Sequence, residues 1–277
     1  MRGDLLVLDP ADATHGTPAT LRLMRGERPL WTRLYGSLDP CRAPHVLLAG
    51  LAEGMARAGE DLTVRLFGVR TTPLLRQSLA LAVSVLRPDQ TLVAEGTEIG
   101  PPGDPIVLEE PLSANVQTAT RRAQWMRMLE DSQPHQVELD RVVLEGSRLG
   151  SGRPLGIEER KRAGLEAAAR VEQAGRSLLI VADDPDERMV ARALDVTHST
   201  KAVLASPRAY EGLILSFARE AGDEFGHGRV ERIDWEAGVL HAVCTAVPPV
   251  PVPILRLGSL RIDSKGIERG EARPWEV

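Results

Sequence analysis

The alternation of short apolar segments with helical segments in the first half of the chain constrains the fold more than any other feature. Strand-like segments begin at Leu5, Leu62 and Gln90, and helical patterns begin between them at Ala43 and Pro73. Strands joined by helical crossovers pair in parallel, with the helices packed on the faces of the sheet. The sequence therefore predicts an α/β fold whose first part is a parallel sheet with crossover helices.

Two carboxylates follow the first of these strands. The apolar run from Leu5 to Leu8 is typical of a buried parallel strand. It ends on Asp9, and Asp12 lies in the polar loop that comes next. Open α/β sheets bind their ligands at the carboxyl ends of parallel strands. Asp9 and Asp12 are therefore the candidates for the acidic groups of a catalytic site.

The chain lacks the phosphate-binding loop G-x-x-x-x-G-K-[ST]. In that loop, backbone amides surround the phosphates of a nucleotide and the lysine, which follows a glycine, neutralises them. None of the lysines Lys161, Lys201 and Lys265 follows a glycine. The motif that many kinases use to hold ATP is therefore absent from this sequence.

Two arginine-bearing segments are candidates for binding anions. In "TRRAQWMRMLE", Arg121, Arg122 and Arg127 lie on a predicted helix, where guanidinium groups could clamp phosphates. In "GSRLGSGRP", Arg148 and Arg153 flank a glycine-rich stretch that could contact an anion. The alternatives are a solvated helix face for the first segment and a plain strand-to-helix turn for the second.

Charge and metal-ligand spacing exclude several classes of function. The net charge of −5 provides no general basic field for nucleic acid, so any such contact needs a local patch. Cys41 and Cys244 lie far apart, and the histidines lack ligand spacing, so we expect no metal site. With no signal peptide and no apolar segment that could span a membrane, we expect a cytoplasmic protein without membrane contact.

The second half of the chain predicts a different architecture. We expect an α/β domain at 1–135 and an α+β domain at 136–277 that ends in a small antiparallel β subdomain. Helices are predicted at 157–175, 185–196 and 207–220, and the tail after Asp263 is expected to be frayed. A hairpin is predicted around Arg25 and Gly26, and another around the turn "DWEAG".

In their order along the chain, several segments resemble the polynucleotide 5′-hydroxyl kinase family, which includes the kinase of the pre-mRNA cleavage factor and the ribosomal-RNA-processing kinase. The family's Asp-x-Asp-x-Gly-Gln motif is similar to "LDPADATHG", where Asp9 and Asp12 remain and the Gly-Gln pair is lost. Its lid motif R-R-x-x-R is similar to "TRRAQWMRM", with Arg121, Arg122 and, one residue out of register, Arg127. Its Asp-Thr-Thr-Gly is replaced by "RLFGVRTT".

The resemblance implies a fold and a chemistry. The fold would be a partial P-loop-kinase-like parallel sheet, and the chemistry would use ATP and Mg²⁺, with an aspartate that activates a 5′-hydroxyl and lid arginines that stabilise phosphoryl transfer. The family's phosphate loop would lie upstream of Asp9. A start site placed too late in the sequence is therefore one expectation, and loss of catalysis is the other.

Three functions follow as hypotheses. The first is a degenerate kinase relative that has no cofactor and no catalysis and acts as a scaffold for RNA or DNA 5′ ends or for a protein. The second is an active ATP-dependent polynucleotide 5′-hydroxyl kinase whose phosphate loop is missing from this chain. The third is an unrelated small-molecule-binding α/β protein. The sequence leaves open whether the chain is an enzyme.

Overall fold

The computed structural model describes residues 3–59, 61–66, 72–94, 106–110, 112–219, 223–245 and 252–272. Contacts between Cα atoms divide the chain into two units, Met1–Glu130 with Lys265–Ile267 and Asp131–Ser264 with Glu268–Val277. Both units contain helices and sheets, so the prediction of a mixed α/β protein is confirmed. Among the described residues, no helix combines the length and the apolar character needed to cross a bilayer.

The first unit contains one six-stranded sheet with the strand order β3-β2-β1-β4-β5-β6. Strands β1, β4, β5 and β6 are parallel, and β2 and β3 add an antiparallel hairpin at one edge. The elements of this unit are β1 (Asp4–Val7), β2 (Thr20–Arg25), β3 (Arg28–Leu34), α1 (Pro44–Arg57), β4 (Leu62–Arg65), α2 (Pro73–Leu86), β5 (Gln90–Ala94), β6 (Ile106–Glu109) and α3 (Ala114–Glu130).

Two helices bury apolar stripes in the core of this unit. In α1, Gly50 and Gly54 face Leu21 of β2 and Leu6 of β1 so closely that an added Cβ would overlap the leucine side chains. The absence of these two side chains therefore lets α1 lie against the sheet. Helix α2 is capped by Thr72, whose hydroxyl accepts a hydrogen bond from the Leu75 amide. The helix buries Leu75, Leu79 and Val83, which recur at helical spacing.

The second unit contains a four-stranded sheet, β12-β11-β10-β9, and a larger sheet, β17-β16-β13-β14-β15-β7, in which β8 also pairs with β16. The larger sheet is antiparallel except for the β8–β16 pair. The elements are β7 (Gln133–Glu138), a 3₁₀ turn (Leu139–Arg141), β8 (Val143–Glu145), β9 (Arg153–Pro154), α4 (Ile157–Ala163), β10 (Arg170–Ala174), β11 (Ser177–Val181), α5 (Glu187–Thr197), β12 (Lys201–Ala205), β13 (Leu213–Ala218), β14 (Glu224–Asp234), β15 (Val239–Cys244), β16 (Ile254–Ile262) and β17 (Glu268–Glu271).

Three predictions for this unit are wrong. The predicted helix 157–175 ends at Ala163, because Gly164 adopts a left-handed conformation (φ 71°) and the later residues pair as β10. The predicted helix 207–220 is a turn followed by β13, a strand buried along its whole length. The tail expected to be frayed contains β17, which pairs with β16. The hairpins around Gly26 and Gly238 are confirmed.

Candidate functional site

The candidate acidic residues lie beyond the carboxyl end of β1. This strand ends at Val7, which pairs with Arg22 on β2 and with Arg65 on β4. The two arginines therefore flank the strand from which the loop with Asp9 and Asp12 emerges. Positive and negative side chains therefore meet beyond the carboxyl end of β1, and parallel α/β proteins bind their ligands at the carboxyl ends of their strands.

Asp12 is the centre of this cluster, and its carboxylate is almost fully saturated with hydrogen bonds. The Thr14 amide and hydroxyl donate to Asp12 Oδ1 at 3.0 and 2.6 Å. His15 Nδ1 lies 2.9 Å from Asp12 Oδ2, and Arg22 Nη2 donates to the same oxygen at 3.4 Å. Arg65 Nη1 lies 3.8 Å from Oδ1. All of these partners belong to the chain itself, so Asp12 is neutralised internally.

The protonation of Asp12 follows from these contacts. Burial alone would raise the pKa of the Asp12 carboxyl, because a low dielectric disfavours its charged form. The hydrogen bonds from His15 and Thr14 and the charge of Arg22 outweigh burial and hold the pKa well below its usual range. Asp12 is therefore a permanent anion at neutral pH, matched by the cations around it.

Asp9 has the opposite electrostatic environment. Its Oδ1 accepts a hydrogen bond from the Ala11 amide at 2.9 Å, and the residue is half-buried. Burial raises the pKa of the Asp9 carboxyl, and the negative charge of Asp12 raises it further. Two neighbouring carboxyl groups whose environments move their pKa values apart can take different chemical roles. Of this pair, Asp9 is the group with the greater proton affinity.

The sequence analysis named none of the partners of Asp12, and Arg22 is the most deeply buried of them. Only 2% of its side chain is exposed, although it carries a full charge. Its Nη1 donates to the Thr17 carbonyl at 2.8 Å, and its Nη2 donates to the Asp12 carbonyl at 2.9 Å. The sequence signal was available, because an arginine inside the apolar strand "TLRLM" requires a buried acceptor.

The three arginines of α3 point in different directions. Arg121 shares a helix face with Trp125 and Met128, the two buried residues of α3, and its Nη2 lies 3.4 Å from the Thr118 hydroxyl. Arg122 and Arg127 are exposed. Five residues along a helix correspond to about 140° of rotation, so these two arginines leave the helix in separate directions. Their role as a phosphate lid stays a prediction.

The glycine-rich turn of the second unit binds a carboxylate that belongs to the chain. The Gly150 amide donates to Glu172 Oε2 at 2.7 Å, and Arg170 Nε donates to Oε1 at 2.6 Å. Arg153 forms a bidentate pair with Glu159, with both distances at 2.8 Å. Arg148 lines a cavity of about 10 Å³, which has room for one water molecule. An external anion at Arg148 and Arg153 stays a prediction.

Within the described ranges, no group of three or more His, Cys, Asp or Glu side chains is placed to hold a metal ion. For a nucleotide or a metal at the first site, Asp9 has the less saturated carboxylate, since in the part of the chain that the structure describes it accepts a side-chain hydrogen bond from the Ala11 amide alone. Asp12 would have to exchange its internal donors for such a ligand.

No protein-family model matches the chain. No curated protein matches it either. Two solved structures are similar to this chain. One is the wild-type Clp1p–Pcf11p complex. The other is described as an extended interface between Pcf11p and Clp1p and the structural basis for ATP loss in a glycine-to-arginine point mutant. Each match has 10% identity and a TM-score of 0.49 and covers 93% of this chain and 67% of the other. At this identity and TM-score the likeness carries no argument about the fold or the activity of this chain.

Proposed function

We propose that this chain is a degenerate relative of the polynucleotide 5′-hydroxyl kinases that transfers no phosphate and acts as a binding scaffold. The observation that supports this proposal most is the internal neutralisation of Asp12. A carboxylate that holds Mg²⁺ needs free lone pairs directed at the metal. The oxygens of Asp12 instead accept from Thr14, His15 and Arg22.

The buried guanidinium of Arg22 also opposes metal binding by its charge. A divalent cation beside Asp12 would be repelled by Arg22 and by Arg65, whose Nη1 lies 3.8 Å from Asp12 Oδ1. Displacing Arg22 would leave its charge buried without its main partner, which costs several kcal/mol. The acid motif is thus better suited to holding the loop than to holding a metal.

Protein is the partner class that we favour for the scaffold. The net charge of −5 disfavours the non-specific phosphate contacts that supply much of the affinity for nucleic acid. Arg122 and Arg127, which are both exposed on α3, are the basic pair that we would test for a local contact with an oligonucleotide.

Two measurements test the proposal. Calorimetric titration with ATP and Mg²⁺ should give no heat up to millimolar ATP, and a 5′-hydroxyl oligonucleotide should receive no label from γ-labelled ATP. Micromolar ATP binding would overturn the proposal that this chain is a scaffold without catalysis. It would favour the ATP-dependent kinase instead, for which the raised pKa of Asp9 makes this residue the candidate base. In that case Asp9→Asn should abolish transfer, while Asp61→Asn, an exposed control, should not.

Fluorescence anisotropy with a 5′-hydroxyl RNA and a single-stranded DNA tests the partner class. We expect no saturable binding at physiological salt. The opposite outcome is saturable binding that becomes about tenfold weaker in the double variant Arg122→Glu, Arg127→Glu. If Arg28→Glu, on the exposed end of β3, leaves that binding unchanged, the partner of the scaffold is nucleic acid instead.

A further inference from the structure

The strand β12 forms an open edge of the four-stranded sheet. It pairs in parallel with β11 on one side, and none of its residues has a hydrogen-bond partner on the other side among the described residues. The Ala205 carbonyl accepts from the Ala182 amide, so the backbone groups of Ala205 face inward. Since backbone groups alternate in direction along a strand, those of Ala202 and Leu204 face outward.

Beyond Lys201 at its start, β12 has neither the proline nor the charged side chains that protect other sheet edges from pairing. Proteins commonly block an edge with proline, with charged side chains or by making the strand very short. Between Lys201 and Ser206, β12 reads Ala-Val-Leu-Ala, and 42% of Leu204 is exposed. The other edge strands whose side chains are described each carry proline, a charged residue or both, namely β3, β7, β8, β9 and β17.

The outward groups of β12 are complementary to those of a second, antiparallel β12. A two-fold axis at Val203 places Ala202 opposite Leu204 of a second copy, and Leu204 opposite Ala202 of that copy. Both residues of each pair face outward, so each pair exchanges both of its backbone hydrogen bonds. An axis midway between two residues would set outward-facing groups against inward-facing ones. Among the axes that lie on a residue, the one at Val203 pairs both outward residues of β12, whereas an axis at Leu204 or Ala202 pairs only one of them within the strand.

The charges at the two ends of the edge fit the same arrangement. Arg176 and Lys201 lie at the beginning, where the Thr200 amide donates to the Arg176 carbonyl. Asp183 and Asp184 follow β11 at the other end. Arg208 lies in the turn after β12, so the two aspartates and this arginine together leave one negative charge at that end. Antiparallel pairing brings the positive end of one copy to the negative end of the other, whereas parallel pairing would bring like charges together.

We propose that β12 is a self-association surface, through which a second copy of this chain extends the four-stranded sheet into one continuous sheet across a two-fold axis. A strand of five residues buries less area than a stable dimer needs. The dimer is therefore weak, with a dissociation constant on the order of 100 μM. Its opposite charges make it weaker at higher salt.

Sedimentation velocity from about 10 μM to about 1 mM protein measures the association directly. Leu204→Pro removes an outward amide without touching the bonds to β11, because proline is tolerated at such a position of an edge strand. We expect it to weaken association about tenfold or more. Leu204→Lys, which places a charge on the edge and keeps the backbone amide, should act in the same direction.

Leu30→Lys is the matched control, since Leu30 lies on the edge strand β3 and is exposed to a similar degree, 40%. It should associate like the wild type. Circular dichroism and the thermal midpoint of each variant establish that it is folded. A wild type that stays monomeric at about 1 mM overturns the proposal. So does a dimer that survives both Leu204 substitutions, because its interface then lies elsewhere.

Discussion

Arg22 and Asp12 form a buried ion pair in which the arginine donates both to the Asp12 carboxylate, at 3.4 Å, and to the Asp12 carbonyl, at 2.9 Å. The same guanidinium also bonds to the Thr17 carbonyl. One side chain from β2 thus fixes two points of the loop that follows β1. The loop conformation and the charge of the candidate site depend on the same residue.

Replacing Arg22 should therefore destabilise the first unit strongly. Arg22→Met keeps the length of the side chain but leaves the Asp12 carboxylate without its buried cation, and we expect a loss of about 3 kcal/mol. Hydrogen exchange of peptides from β1 and β2 in increasing urea measures it locally, without assuming that both units unfold together. Arg28→Met, on the exposed end of β3, should cost little. A loss below about 1 kcal/mol for Arg22→Met would show that the pair is not stabilising.

The pair should also be coupled in a double-mutant cycle. Once Arg22 is replaced, Asp12→Asn should cost less than it does in the wild type, because the aspartate no longer has a buried cation to neutralise. Additive losses would instead indicate that each residue stabilises the loop through contacts of its own.

Asp12 should make the first unit sensitive to acid. Its pKa is lower in the folded chain than in the unfolded chain, so the ionised form stabilises the fold above about pH 4, and that stability is lost as the pH falls further towards the folded pKa. We expect a loss on the order of 2 kcal/mol across this range, monitored by exchange of β1 peptides. In Asp12→Asn this loss should disappear, whereas the exposed Asp61→Asn should retain it.

Asp9 should show the reverse sign. Its pKa is raised in the folded chain, so its ionised form destabilises the fold at neutral pH; this penalty falls as the pH drops below the raised pKa and is gone below the ordinary pKa of the unfolded chain. Asp9→Asn keeps an oxygen for the Ala11 amide and should stabilise the first unit by about 1 kcal/mol at pH 7, but not at pH 3. Destabilisation at pH 7 would mean that the charge of Asp9 is required, in which case the candidate base of the kinase alternative gains support.

The sequence could place Asp9 and Asp12 beyond the carboxyl end of a strand, because an apolar run followed by carboxylates marks such an end. It could not show that Asp12 is neutralised from within, since that requires knowing which strand lies beside β1. Arg22 comes from β2 and Arg65 from β4, and both reach the loop only through the pairing of their strands with Val7. Local patterns do not encode such lateral neighbours.

The second unit illustrates the other limit. "LEAAARVEQAG" contains strong helix formers, and local propensity alone favours continuing α4. The segment instead pairs with β11, so that Val171 and Glu172 are buried in the sheet. Tertiary pairing outweighs a propensity of a few tenths of a kcal/mol per residue. Gly164, the usual residue at a helix end, was the local signal for the stop.

The end of α4 gives the last prediction. At φ 71° the backbone of Gly164 is strained for a residue with a Cβ, and the nearest atom to an added Cβ, Arg192 Cδ, lies at an ordinary 3.5 Å. Gly164→Ala should therefore cost about 1 kcal/mol through backbone strain alone, measured by exchange of β10 and β11 peptides. Gly164→Asn should cost less, because asparagine tolerates the left-handed region. The contrary outcome is that Gly164→Ala gains helical circular dichroism and its β10 amides lose protection from exchange. In that case Gly164, and not the pairing of β10 with β11, keeps the segment from becoming helical.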